Sequence, residues 1–395
     1  MTIPVDPLAP PGSPGRGSST GAMPLRIRPL LLPGMALLAI LLIGLASSLY
    51  TLVFKRGELP ARDVTWSAAA NGETTAAVAH FLQQANPLAD PLVTVDRVTA
   101  YLATGDLGPR VRRGCANWLF LADELALHPD RAANAARRVK MVEEVAAFLK
   151  GRNIGLAVVP VPDKSRVEAA DLCGVDRPAA FAGRLGDFAT QLKAAGIGVV
   201  DLLAPMNLAG GELYYRTDTH WNERGAKASA DAVAMALRQA GLAPIQKAEF
   251  RVSTEPESER VGDLIRLAGL DHVPYPLRPR GDEEEATIIE QSAAANVGLL
   301  DETPAPELAV VGTSFSRRAN FVPFLSLALS APVENRAEDG GGVANAAITY
   351  FAMPQFQKSP PRAVVWEIPE RMIEEPVPAS DERWAASLSG QQAGK

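Results

Sequence analysis

An uninterrupted apolar segment near the amino terminus most constrains how this chain can fold. From Leu30 to Phe54 the sequence has 25 consecutive uncharged residues. As a helix rising about 1.5 Å per residue, such a segment reaches ~37 Å, which exceeds the ~30 Å hydrocarbon core of a bilayer. The run therefore predicts a transmembrane helix over residues 30–54. We favour an uncleaved signal-anchor over a signal peptide cut near Leu49 and over a buried core helix.

The charges beside this segment do not orient it in a membrane. Three basic residues lie on each side, and the positive-inside count is a tie: Arg16, Arg26 and Arg28 before it, and Lys55, Arg56 and Arg62 after it.

Composition bounds the rest of the chain. With 47% hydrophobic and 21% charged residues, most of the 395-residue chain can form a packed core. The formal net charge of −6 argues against a basic nucleic-acid binder. We predict a disordered tail over residues 1–29, a linker with a helical lead-in over 55–110, one domain over 111–375 and a loose tail over 376–395.

Apolar runs alternate with helical patterns in the large segment. The sequence predicts four strands, at Ile154–Val161 (IGLAVVPV), Gly198–Asp201, Leu308–Val311 and Arg362–Ile368. It also predicts a short buried strand at Trp118–Leu121. Helical patterns cover 64–84, 132–150, 178–195, 222–240 and 319–330. The alternation predicts an α/β fold with a mainly parallel sheet and helices on both faces, and Glu255–Glu285 reads as loops or an insertion on this core.

One histidine lies in a sequence suited to acid–base chemistry. Asp218 and His220 form an Asp-x-His pair directly before a helix whose predicted N-cap is Asn222. A carboxylate that accepts from one ring nitrogen leaves the other nitrogen free as a base. A satisfied structural histidine remains the alternative. The other three histidines have no ligand-like spacing, so we predict no metal site.

A serine follows one of the predicted strands at a turn. Ser314 lies in Gly312–Ser316 (GTSFS), and the carboxyl end of a strand in an α/β sheet is where a side chain can face a ligand. A plain turn is the alternative, and Ser316 stands where the nucleophile elbow of α/β hydrolases has glycine. Together, Ser314, His220 and Asp218 can form a group that activates a hydroxyl for acyl transfer.

Several motifs together resemble one family. Over about Val111–Ile373 the chain resembles the alginate O-acetyltransferase family of the AlgJ and AlgX type, whose SGNH-hydrolase-like domain is a three-layer α/β/α fold. The resemblance rests on RTDTHW at 216–221, GTSFS at 312–316, VVWEIPER at 364–371, RGCANWLF at 113–120 and PDK at 162–164. Asn117 before the tryptophan and Asn222-Glu223 at the helix start depart from the family's pattern.

The resemblance implies a mechanism and roles for further residues. Ser314 would attack an acetyl donor, His220 would take its proton and Asp218 would orient His220, with an acetyl-serine then transferred to a sugar hydroxyl. Asn320 is expected to be either an oxyanion donor or a helix cap. Arg216 and Lys164 would either bind acidic sugars or form ion pairs. Tyr215 and Trp221 would either stack on sugar rings or belong to the core.

The resemblance also implies a compartment and partners. It places the tail in the cytoplasm and the domain in the periplasm, on a single-pass anchor in the inner membrane, where Cys115 and Cys173 could form a disulfide. A polysaccharide would be the acceptor, a multispanning membrane acyltransferase would supply acetyl groups, and other exopolysaccharide secretion proteins would assist. We expect no cofactor and no nucleic acid. An acetylesterase and a non-catalytic scaffold subunit are the alternative functions.

Overall fold

The computed structural model describes residues 31–55, 65–292 and 305–390. The predicted tail at 1–29 therefore lies outside the described residues. The chain divides into two compact units, Met1–Leu92 and Val93–Lys395, and each is considered by itself.

The amino-terminal unit is helical. It contains α1 (Leu31–Phe54), α2 (Trp66–Ala70) and α3 (Glu73–Ala85), and α4 (Ala89–Thr104) carries the chain into the second unit. By length and composition, the part of α1 from residue 32 onward can cross a membrane, and its apolar side chains are exposed. Gly72 adopts a left-handed conformation with φ 81°, which glycine tolerates. That turn divides the single helix predicted over 64–84 into α2 and α3.

A five-stranded, fully parallel sheet organises the second unit. Its strand order is β10-β9-β11-β3-β4. These strands are β3 (Gly155–Val161), β4 (Gly198–Val199), β9 (Leu308–Val311), β10 (Val333–Asn335) and β11 (Ala363–Pro369). The parallel sheet predicted from the alternating apolar runs is confirmed.

Within the described residues, three short antiparallel pairs lie outside this sheet. They are β1 (Val111–Arg113) with β2 (Leu119–Leu121), β5 (Phe250–Thr254) with β8 (Thr287–Gln291), and β6 (Ser258–Arg260) with β7 (Asp282–Glu284). The helices of the second unit after α4 are α5 (Arg131–Lys150), α6 (Lys164–Val167), α7 (Arg184–Ala194), α8 (Leu203–Ala209), α9 (Glu223–Gln239), α10 (Asp263–Leu267), α11 (Phe321–Leu329), α12 (Asn345–Ala352), α13 (Pro354–Lys358) and α14 (Ala379–Gly390).

Alternate side chains of the sheet enter two separate cores. Along β11, Ala363 and Val365 face a core with α9 and α11, whereas Val364, Trp366 and Ile368 face a core with α5, α7, α12 and α14. Successive side chains of a strand point to opposite faces, so a sheet buried on both sides reads as a continuous apolar run. The result is the three-layer α/β/α arrangement that the family resemblance implies.

Two predictions about the periphery need correction. The segment after Pro376 is no loose tail in its described part, because α14 buries Ala385 and Leu388 against the core that α5 lines. The described part of α14 carries many polar residues, and Trp384, Ala385 and Leu388 pack on this core. The segment 255–285 is likewise more than loops, because it forms β6, β7 and α10 and reaches the site described below.

Cys115 and Cys173 are joined by a disulfide, with Cα atoms 5.2 Å apart. The bond connects the loop between β1 and β2 to the loop that follows α6. This pairing is the one expected from the two cysteines and the implied compartment.

Candidate active site

The nucleophile candidate lies at the carboxyl end of a buried strand. All four residues of β9 are buried, and Gly312 and Thr313 lead into one 3₁₀ turn over Ser314–Arg317. The Thr313 hydroxyl accepts a hydrogen bond from the Phe315 N–H at 3.3 Å, which caps this turn. Ser314 is only half-buried and therefore faces the solvent side of the turn.

The buried carboxylate of Glu367 accepts hydrogen bonds from the turn that carries Ser314. Glu367 of β11 is fully buried and accepts from the Thr313 N–H at 2.6 Å, the Thr313 hydroxyl at 3.0 Å and the Ser316 hydroxyl at 3.2 Å. Burial raises the pKa of Glu367. A Cβ on Gly312 would lie 2.6 Å from a Glu367 oxygen, so only glycine fits at this position. The turn is thereby fixed by the strand beside it.

The histidine lies within hydrogen-bond distance of the serine. His220 Nε2 is 2.7 Å from Ser314 Oγ, and His220 Nδ1 is 2.6 Å from Asp218 Oδ1. Because an ionised carboxylate only accepts, Nδ1 carries the proton and Nε2 is the acceptor for the serine hydroxyl. The Phe315 ring packs edge-on against the imidazole, with centroids 4.9 Å apart.

The second oxygen of Asp218 is also occupied. Arg260 Nη2 donates to Oδ2 at 2.9 Å and the Asp263 N–H donates at 3.1 Å. Burial alone raises the pKa of Asp218, but the hydrogen bond and charge of His220 and the Arg260 guanidinium hold that pKa below its usual range. Asp218 is therefore an ionised group that keeps the imidazole in one orientation.

Lys164 fixes the main chain on which the aspartate is carried. Its ammonium is fully buried and donates to the carbonyls of Leu119 at 2.6 Å, Arg216 at 2.9 Å and Asp218 at 2.9 Å. Burial lowers the pKa of Lys164 to about 8. These three bonds use all three donors of the ammonium, so the expectation that Lys164 contacts acidic sugars is wrong.

Two further expectations for binding residues are also wrong. The Tyr215 hydroxyl donates to Glu284, and the ring is buried. Trp221 is fully buried against Phe315 and Phe321. Both residues are buried in the core, which was the alternative considered for them. The loop that carries the Asp-x-His pair is closed by an antiparallel bridge between Tyr214 and Trp221, and this bridge holds the two ends of the loop in the core.

The remaining predicted residues have other partners. Asn320 occupies the N-cap position of α11 without a capping bond, and its amide donates to Glu223 Oε1 at 2.8 Å and the Thr287 carbonyl at 2.5 Å. Both amide hydrogens are thereby used, which corrects the oxyanion prediction for Asn320. Arg216 forms an ion pair with Glu212, four residues earlier, and is 43% exposed.

The carboxylates around the histidine could suggest a metal site. Ligand atoms of Asp218, His220 and Asp263 lie within 4.8 Å of one another. The Asp218–His220 separation of 2.6 Å, however, is that of a charge-assisted hydrogen bond, and two ligand atoms bound to zinc at about 2.0–2.1 Å are held farther apart. The Arg260 guanidinium on Asp218 also opposes a cation there. The geometry favours a hydrogen-bonded triad.

Comparisons with known proteins agree with this arrangement. A model of a protein family described as "SGNH hydrolase-like domain, acetyltransferase AlgX" matches residues 111–370. The chain belongs to this family. The match includes the Asp-x-His pair, Glu367 and the 3₁₀ turn Ser314–Arg317, called the nucleophile turn below.

Named relatives and solved structures are consistent with this assignment. "Probable alginate O-acetylase AlgJ" of Azotobacter vinelandii is 33% identical over 298 residues, covering 73% of this chain and 76% of the relative. The protein of the same name from Pseudomonas aeruginosa is 31% identical, covering 71% and 75%. The solved O-acetyltransferase domain of Pseudomonas putida AlgJ superposes with a TM-score of 0.63 at 28% identity, covering 72% of this chain and all of that domain.

Three residues of the site were not foreseen as parts of it. Arg260 and Asp263 come from the segment interpreted as an insertion, and only the folded chain brings them to Asp218. Glu367 could have been predicted from the sequence, because an acidic residue in an otherwise apolar strand that is buried on both faces needs a hydrogen-bonding partner inside the protein. In this AlgX-family domain the partner is the nucleophile turn.

Replacing Lys164 by methionine is expected to destabilise the second unit by about 3 kcal/mol, because buried carbonyls that lose a donor each cost about 1–3 kcal/mol. Chemical denaturation of the detergent-solubilised full chain measures this change. Lys227→Met is the matched control, since Lys227 is an exposed partner of Asp231 and surface changes are usually within about 0.5 kcal/mol. Equal stability of the two variants would show that the three Lys164 hydrogen bonds do not stabilise the unit.

Replacing Glu367 by glutamine is expected to lower kcat by about 10- to 100-fold with little change in KM, because small displacements of a reacting group cost this much. The amide retains the size of the side chain, but its oxygen lacks the negative charge of the oxygen that accepts all three bonds, and its NH2 group replaces the second oxygen, which lies 3.1 Å from the Thr313 hydroxyl. Steady-state kinetics with a chromogenic acetyl ester measure the split. Loss of stability with an unchanged kcat would instead assign Glu367 a purely structural role.

Proposed function

We propose that the chain is a membrane-anchored O-acetyltransferase that transfers acetyl groups to hydroxyls of an alginate-like exopolysaccharide through an acetyl-Ser314 intermediate. The observation that carries the proposal is the unbroken chain of hydrogen bonds from Ser314 Oγ through His220 to Asp218. Membership of the AlgX family and the names of the AlgJ relatives support the acetyl-transfer chemistry and the polymer class.

The first half-reaction acetylates the enzyme. Ser314 Oγ attacks the carbonyl carbon of the acetyl donor while His220 Nε2 takes the hydroxyl proton, and the ionised Asp218 stabilises the resulting imidazolium. The Ser314 N–H is the proposed oxyanion donor, and one such donor is worth about 3 kcal/mol. Collapse of the tetrahedral intermediate breaks the bond to the leaving group, which takes the proton from His220.

The second half-reaction passes the acetyl group to the acceptor. His220 Nε2 takes the proton of a sugar hydroxyl as its oxygen attacks the acetyl-serine carbonyl. The bond to Ser314 Oγ then breaks, and the protonated histidine returns its proton to that oxygen. Water in place of the sugar would give the esterase reaction, so the outcome depends on which hydroxyl occupies the site.

The helix α1 supports a single-pass anchor for this domain. We propose that it lies in the inner membrane with the domain in the periplasm. Acetyl groups would come from a multispanning membrane acyltransferase, and other exopolysaccharide secretion proteins would deliver the polymer.

The test uses the full-length chain in detergent with a chromogenic acetyl ester and oligosaccharide acceptors. Mass spectrometry of the products distinguishes the candidates. Acetylated sugar formed by the wild type supports the transferase. Acetate release that no sugar affects would favour an esterase, and no turnover above that of Ser314→Ala would favour a scaffold.

A further inference from the structure

Two arginines lie on the solvent side of the nucleophile turn. Arg317 is three residues after Ser314 in the same 3₁₀ turn, and side chains three apart in such a helix eclipse one another. Burial agrees with this geometry, since Phe315 and Ser316 are buried whereas Arg317 and Arg318 are exposed. Arg317 thus follows Ser314 on the same side of the turn, and Arg318 is the exposed residue next to it in the chain.

These arginines share a single carboxylate. Asp339 lies 3.6 Å from Arg317 Nε and 3.4 Å from Arg318 Nη2. Both distances exceed the roughly 2.7–2.9 Å of a strong charge-assisted hydrogen bond. Two guanidinium groups against one carboxylate leave one positive charge, and the N–H donors that do not face Asp339 are available to a ligand. All three side chains are about half exposed, so an incoming anion can reach them.

Carboxylates lie beside the histidine of the site. The carboxylates of Asp218 and Asp263 lie 2.6 Å and 3.6 Å from His220 Nδ1, and Arg260 pairs with both Asp218 and Glu284. An anionic ligand is repelled by these carboxylates and attracted to the arginines. A sugar with both a carboxylate and a hydroxyl would therefore be oriented with its hydroxyl toward the histidine.

We infer that Arg317 and Arg318 form a subsite for the carboxylate of an acidic acceptor sugar and direct the hydroxyl of that sugar toward His220. This inference rests on the proposed function and adds the residues that select the acceptor. Arginine suits the role because its planar fork matches a carboxylate in two parallel hydrogen bonds.

The first test measures binding, which is independent of turnover. Titration calorimetry on the full-length chain in detergent compares an oligouronate with the same oligosaccharide after chemical reduction of its carboxyl groups. We expect the oligouronate to bind about tenfold more tightly, which is about 1.4 kcal/mol. The double variant R317E/R318E is expected to abolish this preference, and R317K/R318K, which keeps the charge, to retain part of it.

The matched control is Arg137→Glu. Arg137 is an exposed residue of α5 that lies 3.7 Å from Glu382, similar in exposure and pairing to the two arginines. It should leave the preference unchanged. Added salt should reduce the wild-type preference, because exposed charges are screened.

The outcomes separate the subsite from the proposed function. Equal binding of both oligosaccharides by the wild type, or a preference that survives R317E/R318E, would overturn the subsite even if Ser314 is acetylated. Failure of the wild type to acetylate Ser314 would overturn the proposed function, whereas a preference lost only in R317E/R318E would still establish the anion site. Acetylation of the oligouronate that falls in R317E/R318E more than that of the reduced sugar supports both.

Discussion

Ser314→Ala is expected to lower acetyl transfer by about 10⁴-fold or more while the chain stays folded. Removing the nucleophile of a hydrogen-bonded triad leaves only the contributions of binding and the oxyanion donors. Ser314 Oγ lies on the solvent side of its turn, and its bond is to His220 Nε2, so its loss disturbs little of the packing behind the turn. Acetylated oligosaccharide quantified by mass spectrometry measures the effect.

Ser326→Ala is the matched control for this variant. Ser326 is a buried serine of α11 whose hydroxyl donates within its own helix to the Val322 carbonyl. It should retain transfer. If Ser314→Ala transferred acetyl groups at a rate near that of Ser326→Ala, the serine would have no covalent role and the scaffold function would gain support.

Asp218→Asn is expected to lower kcat by about 10³- to 10⁴-fold with a much smaller change in KM. The carboxylate accepts from His220 Nδ1–H, and an amide nitrogen in its place would favour the wrong tautomer of the imidazole. The Arg260 guanidinium would also lose its ionised partner. Burst kinetics with a chromogenic ester separate a slow acetylation step from a slow deacetylation step.

A double variant checks that the residues act as one unit. Asp218→Asn combined with Ser314→Ala should be no slower than Ser314→Ala alone, because members of a triad contribute non-additively. Asp231→Asn, which removes an exposed partner of Lys227, serves as the control. If the rate losses of the two single variants multiplied in the double variant, Ser314, His220 and Asp218 would not act as one hydrogen-bonded unit.

Local patterns predicted much of the central fold. The continuous apolar runs at β3 and β11 are typical of strands buried on both faces, and the structure places them side by side in a parallel sheet. Asn222 caps α9 as predicted, with its side chain accepting from the Gly225 N–H. Asp218, His220 and Ser314 were chosen from short motifs, and the fold brings them within hydrogen-bond distance.

What the patterns missed depends on contacts between distant segments. Trp118–Leu121 contains the short buried strand that was predicted, but the sequence did not show that it pairs with β1 outside the five-stranded sheet, with Trp118 and Phe120 in one core and Leu119 and Leu121 in a third cluster with α10. Lysine is usually exposed, so the sequence does not predict that Lys164 is buried and donates to three carbonyls. Arg260 has no local signal, since its partner Asp218 lies 42 residues away.

The central claim is that acetyl transfer proceeds through Ser314, and trapping the intermediate tests it most directly. The full-length chain is mixed with a chromogenic acetyl ester, quenched in acid and digested, and the peptides are sequenced by mass spectrometry before and after an oligouronate is added. We predict one acetyl group on Ser314 that disappears as acetylated oligouronate appears. Acetylated oligouronate formed with no acetyl group on Ser314, or through an acetyl group on another residue, would contradict the account.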